Sequence, residues 1–227
     1  MSVTIASPKI NQLIEGLPSK ERRQILRLSE PVNLVFGTVL CEADALLQYA
    51  YFPLTSLISL SAITKDHQPL GVAMIGNEGL LGATLALGVH TVRLRGMVHG
   101  SGSALRLTAP RLRRLLRDSP RLSSVLRRHA YVLMGQLLQT ATCNSFHEVE
   151  MRLARWLLMT DDRSSSEQLH FTHQILADLL GVQRSAVTIA AGRLQDRKLI
   201  DYARGQISIR SRSGLEAASC ECYAARR

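Results

Sequence analysis

The chain changes its punctuation at Thr108. Before it, apolar residues come in short runs, each stopped by turn residues. Val32–Phe36 stops at Gly37, Tyr49–Phe52 at Pro53, Leu57–Ile63 at Lys65-Asp66, Leu70–Ile75 at Gly76-Asn77 and Val92–Val98 at Gly100-Ser101-Gly102, with Ala104–Leu107 following. Such runs have strand length, and Leu57–Ile63 alternates as a half-buried strand does. The exception is Ser19–Leu28, which reads as a short helix with Ser19 as N-cap and Arg22, Arg23 and Arg27 outside. From Thr108 on, apolar residues recur at helical spacing. Pro110 and Pro120 fall where a helix's first turn tolerates a missing N–H. The predicted fold class is α+β: an N-terminal β-barrel of jelly-roll type, a long helix, and a helical C-terminal domain.

Thr108 is read as the cap of a helix running to about Asp118, and Pro120 as the start of a longer one reaching about Thr142. In the longer helix Leu122, Leu126, Leu133 and Leu137 form a stripe at steps of four, seven and four. This stripe suits packing on the chain's own domain, and it also suits a coiled-coil seam. A long amphipathic helix between two domains favours the seam, and so a homodimer. The expected boundaries are 1–118 for the β-domain, 119–143 for the dimerisation helix and 144–227 for the C-terminal domain.

Lys and Arg number 28 against 18 Asp and Glu, a net charge of +10, and 24 of the cations are Arg. Residues 101–143 hold eight Arg (106, 111, 113, 114, 117, 121, 127 and 128) and one Asp. A solvated helix face explains such a run, and so does a surface for an anionic partner. At this overall charge the partner is nucleic acid before membrane. No apolar run approaches the ~18–20 residues of a membrane span, and the first residues lack the pattern of a signal peptide, so the cytoplasm is expected. Four Cys make no disulfide framework. Cys41 and Cys143 stand alone, and Cys220-Glu221-Cys222 lacks a second pair at zinc-ligand spacing. The thiols are read as ordinary reduced ones, with redox sensing by Cys220 and Cys222 as a minor hypothesis. No nucleophile–base pair, Walker loop or metal cluster is recognisable, and Gly76–Gly82 follows a strand in a β-domain rather than opening a βαβ unit. An enzyme is not expected.

The most informative stretch is 171–188. A helix His173–Leu180 capped by Thr172 is closed by Gly181 and followed by a second helix, Gln183–Asp196. Small Ala177 and apolar Leu176, Leu179, Val182 and Val187 are placed to pack the pair as a helix-turn-helix. Leu199–Tyr202 and Gln206–Ile209 then read as a hairpin around Arg204-Gly205. A helix-turn-helix sets the N-terminal end of its second helix in the DNA major groove. That end carries Gln183, Arg184, Ser185 and Thr188. Arg can bond guanine O6 and N7, and Gln can pair with adenine. Thr172, His173 and Arg204 are candidates for phosphate contacts. The rival reading is a ligand-binding module whose helix-turn-helix serves protein contacts.

Residues 171–200 resemble the helix-turn-helix of the Crp/Fnr regulators. The resemblance extends over nearly the whole chain through Tyr51-Phe52-Pro53, Gly76-Asn77-Glu78-Gly79-Leu80-Leu81-Gly82, Gly102-Ser103-Ala104-Leu105-Arg106 and Glu150–Met159. It implies a cyclic-nucleotide-binding-like β-barrel, a dimerisation helix and a winged helix-turn-helix. It also implies a homodimer on a near-palindromic double-stranded site, with RNA polymerase as a candidate contact. Cyclic-AMP-binding members use a Gly-Glu followed by Arg-Ser/Thr-Ala. Here Gly76, Asn77, Glu78 and Gly79 match the first part, while the second reads Thr91-Val92-Arg93-Leu94-Arg95-Gly96, leaving Arg93 or Arg95 as substitutes. A cyclic nucleotide is therefore not expected. No Cys precedes Cys41, so the N-terminal iron–sulfur cluster of the oxygen-sensing members is not expected either. No haem ligand stands out among His67, His90, His99, His129, His147, His170 and His173. The expected cofactor is none.

Overall fold

The computed structural model describes residues 10–66, 68–164 and 169–224. The readings made above for residues 1–9, for His67 and for 165–168 lie outside the described residues. Among the described residues two short helices come first, α1 (Gln12–Glu15) and α2 (Ser19–Leu28). The α2 boundaries agree with the sequence, but Pro18 holds the cap position and Ser19 is the first helical residue. Seven strands follow: β1 (Glu30–Leu34), β2 (Val39–Cys41), β3 (Tyr49–Pro53), β4 (Leu57–Ala62), β5 (Leu70–Ile75), β6 (Arg95–Gly100) and β7 (Gly102–Thr108). They form two antiparallel sheets, β1-β7-β3 and β2-β6-β4-β5. Leu34, Tyr51, Ile58, Leu60, Ala73, Ile75, Val98 and Ala104 come from both sheets and share one core. The sheets are jelly-roll-like and do not close into a barrel. The run at Leu57–Ile63 is not half-exposed, because Ser59 and Ser61 are buried together with their apolar neighbours. Ser59 instead meets the His99 ring, with Oγ 2.6 Å from Nδ1.

Helix α3 (Ala109–Asp118) leads into α4 (Pro120–Phe146), which the Ser119 hydroxyl caps by accepting from the Leu122 N–H at 3.2 Å. One face of α4 lies on the β-domain. Leu122 and Leu126 are 1 % exposed in its core, and Leu133 and Leu137 pack against the sheet core. All four leucines of the expected seam thus face their own β-domain, Leu133 and Leu137 only half-buried there. Three buried polar residues share that face. His129 Nε2 accepts from the Leu80 N–H at 3.0 Å, Gln136 Oε1 accepts from the Met74 N–H at 3.2 Å, and the Thr140 hydroxyl donates to the Val72 carbonyl at 3.0 Å. Strand β5 is an edge strand, and an edge leaves backbone donors and acceptors unpaired. The helix supplies their partners from side chains. On its opposite face Tyr131, Met134 and Leu138 are 74, 54 and 69 % exposed.

The C-terminal part is α5 (Val149–Asp161), β8 (Leu169–His170), α6 (His173–Leu180), α7 (Arg184–Asp196), the hairpin β9 (Ile200–Ala203) and β10 (Gln206–Ile209), and α8 (Arg212–Ala218). Residues 152–160 of α5 are all buried, so it is the core helix of this domain rather than one with a single apolar side. The two domains touch. Leu57 and Met74 of the β-domain join the C-terminal core. The Arg163 guanidinium bonds Glu78 at 2.6 Å. The His99 ring stacks on Phe171 with centroids 6.0 Å apart. No single helix among the described residues is long and apolar enough to cross a membrane.

Two outcomes follow. Gln136→Ala leaves the buried Met74 N–H unpaired, which costs about 1–3 kcal/mol and shows as a lower denaturant midpoint. An unchanged midpoint would deny the helix its edge-pairing role. Burial pulls the His99 pKa from 6.5 down to about 4. The folded chain then binds fewer protons than the unfolded chain between these values, so the stability His99 contributes is complete above pH 6.5 and is lost as pH falls toward 4. His99→Gln flattens that part of the stability–pH curve, read by thermal unfolding. An unaltered slope contradicts the assignment.

Candidate nucleic-acid interface

Three features build the helix-turn-helix. The Thr172 side chain caps α6, accepting from the Ile175 N–H at 3.2 Å. Gly181 closes α6 at φ +63°, a left-handed conformation that a Cβ disfavours. A Cβ there would also lie 2.6 Å from Leu70 Cδ1 of the β-domain, whose side chain would have to shift to admit it. Leu176, Ala177, Leu179 and Val187 are buried between α6 and α7. The helix-turn-helix therefore stands as the residues predict, one position short at the start of α7, where Gln183 is the cap residue.

The outer end of α7 is free. Gln183, Arg184, Ser185 and Thr188 are all exposed. Among the described residues the Gln183, Arg184 and Ser185 side chains have no hydrogen-bond partner within the chain. Thr188 is held, its hydroxyl 2.9 Å from His173 Nδ1 and 3.1 Å from the Arg184 carbonyl. His173 lies edge-on to Tyr202 at 4.5 Å. Burial and then the Arg184 charge lower its pKa, which disfavours the charged ring. It braces α6 against α7 and the hairpin, and its engaged Nδ1 removes the basis for a phosphate contact through that atom. Arg204 and Gly205 form the hairpin tip at φ +52° and +79°, the pair of positive values that a two-residue type I′ turn requires. Arg204 is exposed there.

Sequence reasoning missed parts of this surface. Ile189, 59 % exposed, and Gly192, with open space where a Cβ would be, lie on the same outward face of α7. The signal was available as an apolar residue out of register with Val187, Ala190 and Ala191. Strand β8 was also missed. It pairs with β10 and makes the hairpin a three-stranded sheet. Behind the surface, Glu150 binds Arg197 at 2.8 Å and ties the end of α7 to α5.

The effector residues inferred from the resemblance do not gather. Glu78 is committed to Arg163, and Asn77 accepts from Gln12 through its side chain at 3.2 Å and its carbonyl at 2.8 Å. Gly76 lies against Arg163 and Gly79 against the His129 ring, so close that a Cβ would clash. Arg93 pairs with Asp44 at 3.1 Å and Arg95 with Glu42 at 2.8 Å. The cleft beside Asn77 and Glu78 is lined instead by Arg121, Arg128, His129 and Arg163. The Gly-Glu segment is a joint between domains. Cys143 is not alone either, as it meets Cys220 with Sγ atoms 3.5 Å apart.

Residues 151–218 match the Crp-like helix-turn-helix domain. The chain has the Crp/Fnr fold. A putative Crp/Fnr-family transcriptional regulator from Eubacterium rectale superposes with a TM-score of 0.71 at 13 % identity, over 91 % of this chain and 96 % of that one. FixK2 from Bradyrhizobium japonicum gives 0.70 at 14 % identity, over 85 and 98 %. A CRP/FNR-family regulator from Thermus thermophilus gives 0.68 at 20 % identity, over 87 and 100 %. No curated protein matches by sequence. The matched domain begins at Met151 in α5 and ends at Ala218 in α8, so the Crp-like domain includes the core helix and the hairpin as well as the reading pair.

Proposed function

We propose that the protein is a sequence-specific DNA-binding transcription regulator acting as a homodimer in the cytoplasm. The observation that carries this is the state of α7. Its inner side is fixed by buried Val187, Ala190, Ala191 and Leu194, while Gln183, Arg184 and Ser185 are exposed at its outward N-terminal end with no hydrogen-bond partner among the described residues. Arg184 and Gln183 supply base contacts, Ser185 and Thr172 contact the backbone, and Thr188 with Ile189 lies over the groove, where a thymine methyl suits an apolar side chain. Arg204 at the hairpin tip adds a phosphate contact. The exposed arginines of α3 and α4, with the net charge of +10, supply long-range attraction to the duplex.

A dimer is supported by the outward stripe of α4. Tyr131, Met134 and Leu138 are spaced three and four residues apart, the step of a helix–helix seam. Two copies joined there read a near-palindromic site whose half-sites lie about 34 Å apart. The functional units are then the β-domain through α3, the helix α4, and the domain from α5 onward. RNA polymerase is the partner on which such a regulator acts.

Arg184→Ala should cost about 1–3 kcal/mol of binding and relax preference at one base pair per half-site. Competition binding over a set of single-base variants checks this, and unchanged affinity and preference would remove Arg184 from the interface. Leu138→Glu sits on the exposed side of α4 and should leave the fold intact while yielding a monomer in sedimentation. A dimer of unchanged strength would place the contact elsewhere.

A further inference from the structure

Four potential ligands from two places in the sequence meet where α4 passes into α5. Cys143 and His147 lie one turn apart at the end of α4, His147 being its C-cap residue. Cys220 and Cys222 follow α8. The ligand atoms of all four lie within 4.8 Å of one another. Cys143 Sγ is 3.5 Å from Cys220 Sγ, and Cys222 Sγ is 3.6 Å from His147 Nδ1. A tetrahedral metal with Zn–S bonds of about 2.3 Å places its sulfurs roughly 3.8 Å apart, so the cluster already has the span of a single-ion shell. An iron–sulfur core, with several separated irons, needs its ligands spread wider.

We propose that Cys143, His147, Cys220 and Cys222 bind one zinc ion in a four-coordinate Cys3His site. The imidazole is prepared for it. His147 Nε2 lies 3.1 Å from the Glu221 carboxylate, which fixes the proton on Nε2 and leaves the Nδ1 lone pair directed at the thiols. A carboxylate behind a ligating histidine is the usual outer partner in zinc sites.

Charge gives an independent reason. Arg155 is 4 % exposed, and among the described residues its Nε and Nη2 have no hydrogen-bond partner. Arg152 is 8 % exposed, with Nε likewise unpartnered and Nη2 on the Leu180 carbonyl. Arg155 acts electrostatically on Cys143 and Cys222, and Arg152 on Cys143 and Cys220. Two buried guanidinium groups thus border three thiols and, among the described residues, have no carboxylate partner of their own. Buried cations require compensation. On binding Zn2+ the three thiols lose three protons to solvent and the histidine adds as a neutral ligand. The site then carries a net −1 against the two arginines, and no electron is transferred. The ion clasps the segment after α8 to the joint between α4 and α5, so the zinc fixes how the reading domain leaves the long helix.

The test uses the untagged full-length protein. Elemental analysis after dialysis against EDTA should find one zinc per chain. Cobalt(II) added to metal-stripped, reduced protein should give tetrahedral d–d bands and a thiolate-to-cobalt charge-transfer band. Glu221→Gln, at an exposed position, should keep the fold and weaken metal affinity about 10–100-fold. Cys222→Ser should lose the charge-transfer intensity of one thiolate. The proposal is overturned by folded wild-type protein that takes up no cobalt or gives only a six-coordinate spectrum, by a Cys143–Cys220 disulfide in metal-free protein isolated without oxidant, or by an iron–sulfur chromophore. The cobalt titration needs no variant, so a variant that fails to fold leaves the outcome decided by wild-type protein.

Discussion

The architecture depends on how α4 closes the open edge of β5. An edge strand beside a helix would ordinarily leave buried backbone groups without partners. Here Gln136 and Thr140 reach across to the Met74 N–H and the Val72 carbonyl, and His129 takes the Leu80 N–H just beyond the strand. These contacts set the rotation of the helix about its own axis. Leu122, Leu126, Leu133 and Leu137 must then turn inward, and Tyr131, Met134 and Leu138 must turn out. The exposed apolar stripe and the domain contact are two consequences of one orientation.

The same helix determines where the reading surface sits. Helix α5 follows α4 after His147 and Glu148 and is buried along most of its length. The turn of the helix-turn-helix leans on the β-domain through Gly181 against Leu70, and the backbone of Leu179 approaches Gly71 closely enough to exclude a Cβ there. A displacement of β5 would therefore be felt at both the turn and α4. Such a shared contact lets a change in the β-domain alter the pose of α7. The Arg163–Glu78 pair reinforces this joint, which is why residues that resemble an effector motif act here as a fastening.

Much was legible from local chemistry. Thr172 and Gly181 bound α6 as their capping preferences require, and the Arg204-Gly205 turn placed the hairpin. Strand β5 ran from Leu70 to Ile75 as its flanking residues indicate. Elements too short to show periodicity escaped, namely α1, β2 and β8, as did α8 beyond the hairpin. Helix α4 ran on to Phe146 because Cys143, Asn144 and Ser145 lack the means to stop a helix. Strand β6 began at Arg95 rather than Val92, since only from there does it pair with β4. Periodicity found a leucine stripe on α4 but not its direction, because the opposite face is also apolar. The partners of Cys220 and Cys222 were invisible for another reason: Cys143 and Cys220 are 77 residues apart, and only folding joins them.

The central claim is that two copies read DNA through the outward end of α7. Selection of bound fragments from a random duplex library by the purified protein, with no ligand added, tests it most directly. The account predicts enrichment of a two-fold-symmetric motif with half-sites one helical turn apart, lost with rising salt as counterion release demands. A motif without symmetry, or no enrichment at salt low enough to permit binding, would contradict it.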